Sequence, residues 1–252
     1  MNTATMNISS LIIASILVII SMVFSYAQKL KLEKEILIGV FRAIVQLTAV
    51  GYVLNFIFGL KNPIFTTLLV SFMLFNAAYN ASKRGKTIRN GLMISFVSIG
   101  AGTIVTLTIL VIAGAIKYEP YQIVPVSGMI ISNAMVAIGL CYKQLASDFK
   151  NKRDEVETKL SLGADILPSS IELIRDSIKT GMLPTIDSMK TLGIVSLPGT
   201  MTGLILAGTS PLEAIKFQIM VTFMLLSTTS IAAFSACYLA YKGFFNHRKQ
   251  LR

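Results

Sequence analysis

The sequence predicts an all-α membrane protein, a polytopic bundle of about seven transmembrane helices with its N-terminus outside and its C-terminus cytoplasmic, on three observations. Of 252 residues, 54% are hydrophobic and only 14% are charged, against about 25% charged in soluble domains. A soluble fold of this size lacks the polar residues to cover so much apolar surface. The apolar residues also fall in runs near the length that crosses a hydrocarbon core of about 30 Å at about 1.5 Å per residue. Finally, Lys and Arg gather in alternate loops, as the positive-inside rule requires.

The candidate spans are 9–27, 36–58, 63–81, 91–116, 120–142, 190–209 and 213–242. No Lys or Arg precedes the first run, which ends at Ala27 before Lys29. A secretory signal needs a basic segment ahead of its apolar stretch, so this run reads as a retained helix. The fifth span carries Pro125 and the sixth Pro198 with several glycines. Proline is tolerated in a membrane helix where neighbours satisfy the freed carbonyl. Lys29, Lys31 and Lys34 follow the first span, and Lys83, Arg84, Lys86 and Arg89 follow the third. Lys143, Lys150, Lys152, Arg153, Lys159, Arg175 and Lys179 follow the fifth, and Lys242, Arg248, Lys249 and Arg252 form the tail. The other side holds Lys61, Lys117 and Lys216. That asymmetry sets the orientation and requires an odd number of spans. It also accounts for the net charge of +11 without nucleic acid, because the basic residues sit between apolar runs and not on one soluble face.

The sequence reads as one transmembrane domain over 1–252. Its one sizeable loop is cytoplasmic, at about 143–190, too short for a catalytic domain. Within it, Ser147 or Asp148 is placed to cap a first helix that ends at Leu160–Gly163, with Gly163 suited to a left-handed position. Asp165 starts a second helix with Pro168 in its first turn, and Ile171, Ile174 and Ile178 follow at helical spacing.

Enzyme chemistry finds little support. Gly85-Lys86-Thr87 resembles the end of a P-loop, but position 80 is Asn80 where a glycine is needed, and a membrane helix precedes it in place of a strand. This chain is therefore not expected to hydrolyse nucleotide by itself. One histidine, His247, in the tail and two cysteines, Cys141 and Cys237, make a His/Cys metal centre hard to assemble. No carboxylate falls at mid-membrane depth: Glu119 and Glu213 lie near outer ends, and Asp187 near the inner entry to the sixth span. Proton-driven transport usually needs such a buried acid, so the energy is expected from a partner.

The polar residues inside the spans are amides and hydroxyls. Asn76 and Asn80 share one face of the third span, Asn133 lies in the fifth among small residues, and Gln218 lies in the seventh. Such groups either tie helices together or line a polar path. Gly199 and Gly203 form a GxxxG pair beside Ser196-Leu197-Pro198-Gly199, which marks a bent or broken helix whose free carbonyls suit a gate. The pathway or gate candidates are Asn76, Asn80, Asn133, Pro198 and Gly199. Most of the methionines read as packing residues.

Six strings resemble one family in order along the chain: Phe75-Asn76-Ala77-Ala78 with Asn80, Ser132 to Ala137, Lys159 to Ala164, Ile174 to Ile178, Ser196 to Gly199, and Gln218 to Ser227. They look like the FetB-type (UPF0014-like) permeases, iron-export ABC permeases that include plant permeases linked to aluminium tolerance. The resemblance implies a permease homodimer in the cell membrane, paired with a separate FetA-type ATPase that uses ATP, with no cofactor on this chain. It implies export of iron, a related metal or a metal chelate. It also likens Glu157 to Gly163 to the coupling loop of ABC permeases, giving Glu157, Leu160, Ser161, Leu162, Gly163 and Ala164 as candidates for contact with the ATPase. The common small residues of that loop are replaced here by Leu160 and Ser161. Two other readings stay open: an ABC permease for a nucleotide sugar or organic anion, and a scaffold that docks a soluble partner without transport. The metal ligands are not assigned.

Overall fold

The computed structural model describes residues 13–60, 63–85 and 87–251; the expected start of the first span at 9–12, and Lys61, Lys86 and Arg252, lie outside the described residues. The described residues form nine α-helices: α1 (Ile16–Ala27), α2 (Glu33–Leu60), α3 (Pro63–Arg84), α4 (Gly91–Ile112), α5 (Pro120–Asn151), α6 (Arg153–Ser161), α7 (Ile166–Thr191), α8 (Gly199–Leu206) and α9 (Pro211–Ala240). A 3₁₀ turn, Tyr241–Phe244, follows α9. Among the described residues, five helical segments are long and apolar enough to cross a membrane: Glu33–Asn55, Pro63–Arg84, Gly91–Ile112, Pro120–Asn151 and Pro211–Phe244. Ile16–Ala27 is apolar but shorter.

The described chain separates into two compact units. One carries α1 and α2; the other carries α3 to α7, α8 as far as Ile205, and α9. In the first, Lys29 and Lys31 take left-handed backbone conformations that turn the chain between the helices. Ser25 fastens the turn: its hydroxyl donates to Glu33 Oε1 at 2.9 Å and accepts the Leu32 N–H at 3.1 Å.

The second unit is organised on α5, which packs against α3, α4, α7 and α9. Ile123, Ile130, Ala134, Ile138, Cys141, Tyr142 and Leu145 are buried along it. Close approach depends on small residues, as in membrane bundles generally. A β-carbon at Gly102 of α4 would stand 3.0 Å from the Thr228 carbonyl oxygen of α9. Hydroxyl pairs then tie the helices: Thr106 to Thr228 at 2.8 Å, and Ser95 to Tyr142 at 3.0 Å.

Three expectations change. The fifth span does not end at 142. Helix α5 runs on to Asn151, and its 32 residues extend about 48 Å at 1.5 Å per residue, so the loss of hydrophobicity after Cys141 marks the end of the apolar segment and not of the helix. Ser147 and Asp148 therefore lie inside α5 and do not cap α6; Asp148 is buried and its Oδ1 accepts the Gln144 amide at 2.9 Å, while Oδ2 has no hydrogen-bond partner among the described residues. Helix α6 begins after Lys152, which supplies no side-chain cap.

The sixth span, 190–209, is not one continuous helix. Helix α7 ends at Thr191, and residues 192–198 form a compact turn in which Gly193 has φ +80°. The N–H of Gly193 donates to the Ser196 carbonyl, and that of Val195 to the Thr191 carbonyl, both at 3.0 Å. The short α8 then starts behind Pro198, whose carbonyl accepts the Thr202 N–H at 2.9 Å. The break is where the sequence places it. The GxxxG pair, however, meets no helix: a β-carbon at Gly199 or Gly203 would have open space around it.

Candidate functional site

The second unit holds a groove between α5, α7, α8 and α9. A cavity of about 430 Å³ is lined by Met129, Asn133, Val136 and Ala137 of α5, Gly181, Pro184, Thr185, Ser188 and Met189 of α7, and Thr200, Gln218, Val221, Thr222 and Leu225 of α8 and α9, with Leu192, Pro198 and Gly199 at the break. An adjoining cavity of about 560 Å³ shares Met129, Gly199 and Thr200 and continues past Pro125 to Tyr121 and Gln122. Together they follow α5 from Tyr121 to Ala137, a helical rise of about 24 Å, most of the about 30 Å of a hydrocarbon core.

The break borders this groove, with Leu192, Pro198 and Gly199 in its lining, and the turn leaves the first N–H groups of α8 without intrahelical carbonyls. Thr200 Oγ1 donates to Gln218 Oε1 at 2.6 Å and ties α8 to α9. Asn133 is half-buried, and its amide donates to the Met129 carbonyl of its own helix at 2.9 Å. Its side-chain oxygen has no protein hydrogen bond among the described residues, so it is free to accept from an occupant. The lining offers amides, hydroxyls and two thioethers. No group of three or more His, Cys, Asp or Glu side chains converges anywhere among the described residues.

Of the pathway candidates read from the sequence, the groove gathers Asn133, Pro198 and Gly199. It does not gather Asn76 and Asn80. These lie on an exposed face of α3, and each donates to its own helix, Asn76 to the Phe72 carbonyl at 3.1 Å and Asn80 to the Asn76 carbonyl at 2.8 Å. Thr185, Ser188 and Met189 are hidden in the sequence because 143–190 reads as a loop. Their signal is the row of small and hydroxyl residues Gly181, Thr185 and Ser188 at spacings of four and three, one face of a helix.

The second constellation is the elbow between α6 and α7. Gly163 has φ +91°, its N–H donates to the Leu160 carbonyl, and the Ala164 N–H reaches the Lys159 carbonyl, both at 3.0 Å. This pair of bonds is the Schellman stop of a helix. Asp165 caps α7 by accepting the Ile166 N–H at 2.8 Å, as the sequence indicates. Val156 is buried, and Lys159 bridges Glu155 at 2.6 Å and Glu172 of α7 at 3.2 Å, so the short helix is fastened to the long one. Glu155 is held below the usual carboxylate range chiefly by the hydrogen bond from Lys159. Glu157, Leu160, Ser161, Gly163, Ala164 and Asp165 line one wall of a cleft of about 840 Å³. Leu162 points away and is 83% exposed.

Helices long and apolar enough to cross a bilayer, two of them (α5 and α9) flanking a groove whose mainly apolar wall carries a few amides and hydroxyls, define a multi-pass membrane protein. The chain belongs to the family described as Uncharacterised protein family (UPF0014), whose model matches residues 8–245. It is 49% identical to the Probable iron export permease protein FetB of Escherichia coli K12, over 100% of this chain and 97% of that protein. It is 40% identical to the UPF0014 membrane protein STAR2 of Oryza sativa subsp. japonica, covering 94% and 84% of the two chains. It is 36% identical to the Protein ALUMINUM SENSITIVE 3 of Arabidopsis thaliana, covering 95% and 88%. No solved structure gives a significant match.

Proposed function

We propose that this chain is the permease subunit of an ATP-driven ABC exporter of iron, a related metal or a metal chelate. The observation that carries the reading is the groove along α5, which follows most of a bilayer's thickness and sets the amides and hydroxyls of Asn133, Gln218, Thr185 and Thr200 in a mainly apolar wall beside the broken segment at Pro198 and Gly199. The name carried by the Escherichia coli relative supports iron as cargo. Asn133, Gln218 and Thr200 contact the cargo, and the Pro198–Gly199 break is the gate.

The chain binds no cofactor of its own; ATP is used by a separate FetA-type ATPase. The α6–α7 elbow, with Glu157, Leu160, Ser161, Leu162, Gly163 and Ala164, faces the cytoplasm and meets that ATPase. Its fastening to α7 supports this, because a push on Leu162 is carried by a continuous helix to Thr185 and Ser188 in the groove. Alternating access then requires two packings of α7 and α8 that are close in energy. The subunit works as a homodimer. Asn76 and Asn80 lie outside that groove and form a polar stripe on α3 that faces the second copy, where a dimer-lined part of the pathway would meet them, since amides turned toward lipid are costly.

A second reading keeps the architecture and changes the cargo to an organic anion or nucleotide sugar. The amide and hydroxyl lining favours it, because those groups suit a ligand that presents many hydrogen-bonding atoms.

The test is co-purification of the chain with a candidate FetA-type ATPase, followed by ATP hydrolysis with and without Gly163→Pro, which breaks the elbow. A stable complex whose hydrolysis no longer responds to the permease in the variant supports the reading. A wild-type chain that binds no ATPase contradicts it and favours a scaffold or stand-alone transporter.

A further inference from the structure

The C-terminal tail is built into the elbow. After the 3₁₀ turn, Phe245 pairs with Leu251 in an isolated antiparallel bridge. Asn246 organises the small hairpin between them: its Oδ1 accepts the N–H groups of Arg248 and Gln250, and its N–H donates to the Gln250 carbonyl, all at 2.9 Å. Lys249 takes a left-handed conformation at the tip, with φ +60°. Phe244 stacks on Phe149 of α5 with ring centroids 4.2 Å apart, and buried Phe245 meets the same ring edge-on at 5.7 Å. From that anchorage Lys249 Nζ reaches Asp165 Oδ1 at 2.9 Å. The stretch Arg248 to Leu251 thereby forms the second wall of the elbow's cleft of about 840 Å³.

Two groups on this surface have no use inside the chain. Leu162 is an 83% exposed leucine at the tip of the elbow. Arg248 is exposed, and its guanidinium has no hydrogen-bond or ion-pair partner among the described residues. The carboxylates of the elbow are paired within the chain, Glu157 with Arg153 and both Glu155 and Glu172 with Lys159, so Arg248 is left to pair with a carboxylate from outside it.

We propose that the C-terminal hairpin and the α6–α7 elbow form one docking surface for a soluble protein that offers an apolar hollow to Leu162 and a carboxylate to Arg248. The inference rests on the proposed function, in which that protein is the ATPase, and adds the tail to the contact. The Lys249–Asp165 pair sets the angle between the two parts; Lys249 is a positioning residue.

The experiment measures binding of the candidate ATPase to the full chain in lipid nanodiscs, for wild type, Leu162→Asp and Arg248→Glu. Arg248 has no partner within the described chain, so its reversal leaves the fold intact, which a thermal melt checks. Each variant is expected to weaken binding about tenfold or more. Added salt should weaken wild-type binding and have much less effect on Arg248→Glu. Full affinity in Arg248→Glu, with a loss in Leu162→Asp, overturns the inference and leaves the ATPase reading standing. A wild-type chain that binds no ATPase overturns both. Variants that retain ATPase binding but lose self-association or binding to anionic vesicles overturn the inference and assign the surface to a second copy or to lipid.

Discussion

Gly181 of α7 lies directly against Cys141 of α5: a β-carbon at position 181 would collide with the Cys141 sulfur and stand 2.9 Å from the Ala137 carbonyl oxygen. The contact sits at the edge of the groove, since Gly181 and Ala137 both line it. The Cys141 side chain is fully buried, so neither partner can swing aside and the helices must part. Gly181→Ala is therefore expected to destabilise the bundle by about 1–3 kcal/mol, the usual cost of overpacking. A lower melting temperature, together with faster maleimide labelling of Cys141 and Cys237, checks it.

The Thr200–Gln218 hydrogen bond is the polar tie between α8 and α9. Gln218→Leu removes an interaction worth about 0.5–1.5 kcal/mol net, a small loss to the fold but a large one to a gate. Asn133→Ala removes the free amide oxygen beside it. Both variants should insert normally and lose about tenfold or more in transport, the order expected when a hydrogen bond made to cargo is deleted. Normal flux in both would remove the groove from the route.

Gly163 has open space where a β-carbon would go, so any cost of substitution there is conformational. At φ +91°, alanine costs about 1–2 kcal/mol, and asparagine, which tolerates left-handed backbone, costs less. The expected order of ATPase stimulation is glycine above asparagine, asparagine above alanine, and alanine above proline. An alanine variant equal to wild type would show that elbow geometry does not matter to coupling.

The elbow should be insensitive to pH across the physiological range. The Lys249 amine and then the Ile166 amide hold the Asp165 carboxyl below its usual value. A lowered acid adds stability that is present above the unfolded value, about 3.9, and lost as pH falls through the folded one. Glu155 and Glu172 hold Lys159 above its usual value; that contribution is present below about 10.4 and lost as pH rises through the raised value. Hydrogen exchange of the amides of residues 159–169, corrected for intrinsic rate, should give the same protection at pH 5.5 and pH 9 (values about one and a half units inside those limits). A change of protection within that window would mean that another group controls the elbow.

Much of the fold is legible in the sequence because lipid imposes long apolar runs, and those runs place α2, α3, α4 and α9 to within four residues at each end. The helix break at Pro198 is legible from its Pro and Gly residues, as is the elbow from Gly163 and Asp165. The length of α5 and the role of α7 are not. Hydropathy detects where a helix meets lipid, whereas Lys143 to Asn151 continue a helix in polar surroundings. Helix α7 is legible as a helix from Asp165 and from Ile174 and Ile178, which are buried, but Ser169, Ser170, Ser177 and Gly181 are buried beside them, so its apolar content falls short of a span and its place in the bundle is hidden. Asn76, Asn80 and Asn133 look equivalent in sequence; only the rotation of each helix separates the one in the groove from the two outside it.

The most direct test of the account is metal flux in vesicles that contain the chain and the candidate ATPase, followed with radioactive iron supplied both as the free ferrous ion and as a ferric chelate. The account predicts ATP-dependent movement of iron in at least one form, abolished by Asn133→Ala with Gln218→Leu and by Gly163→Pro. Iron movement that needs no ATPase, or that survives all of these substitutions, would contradict it.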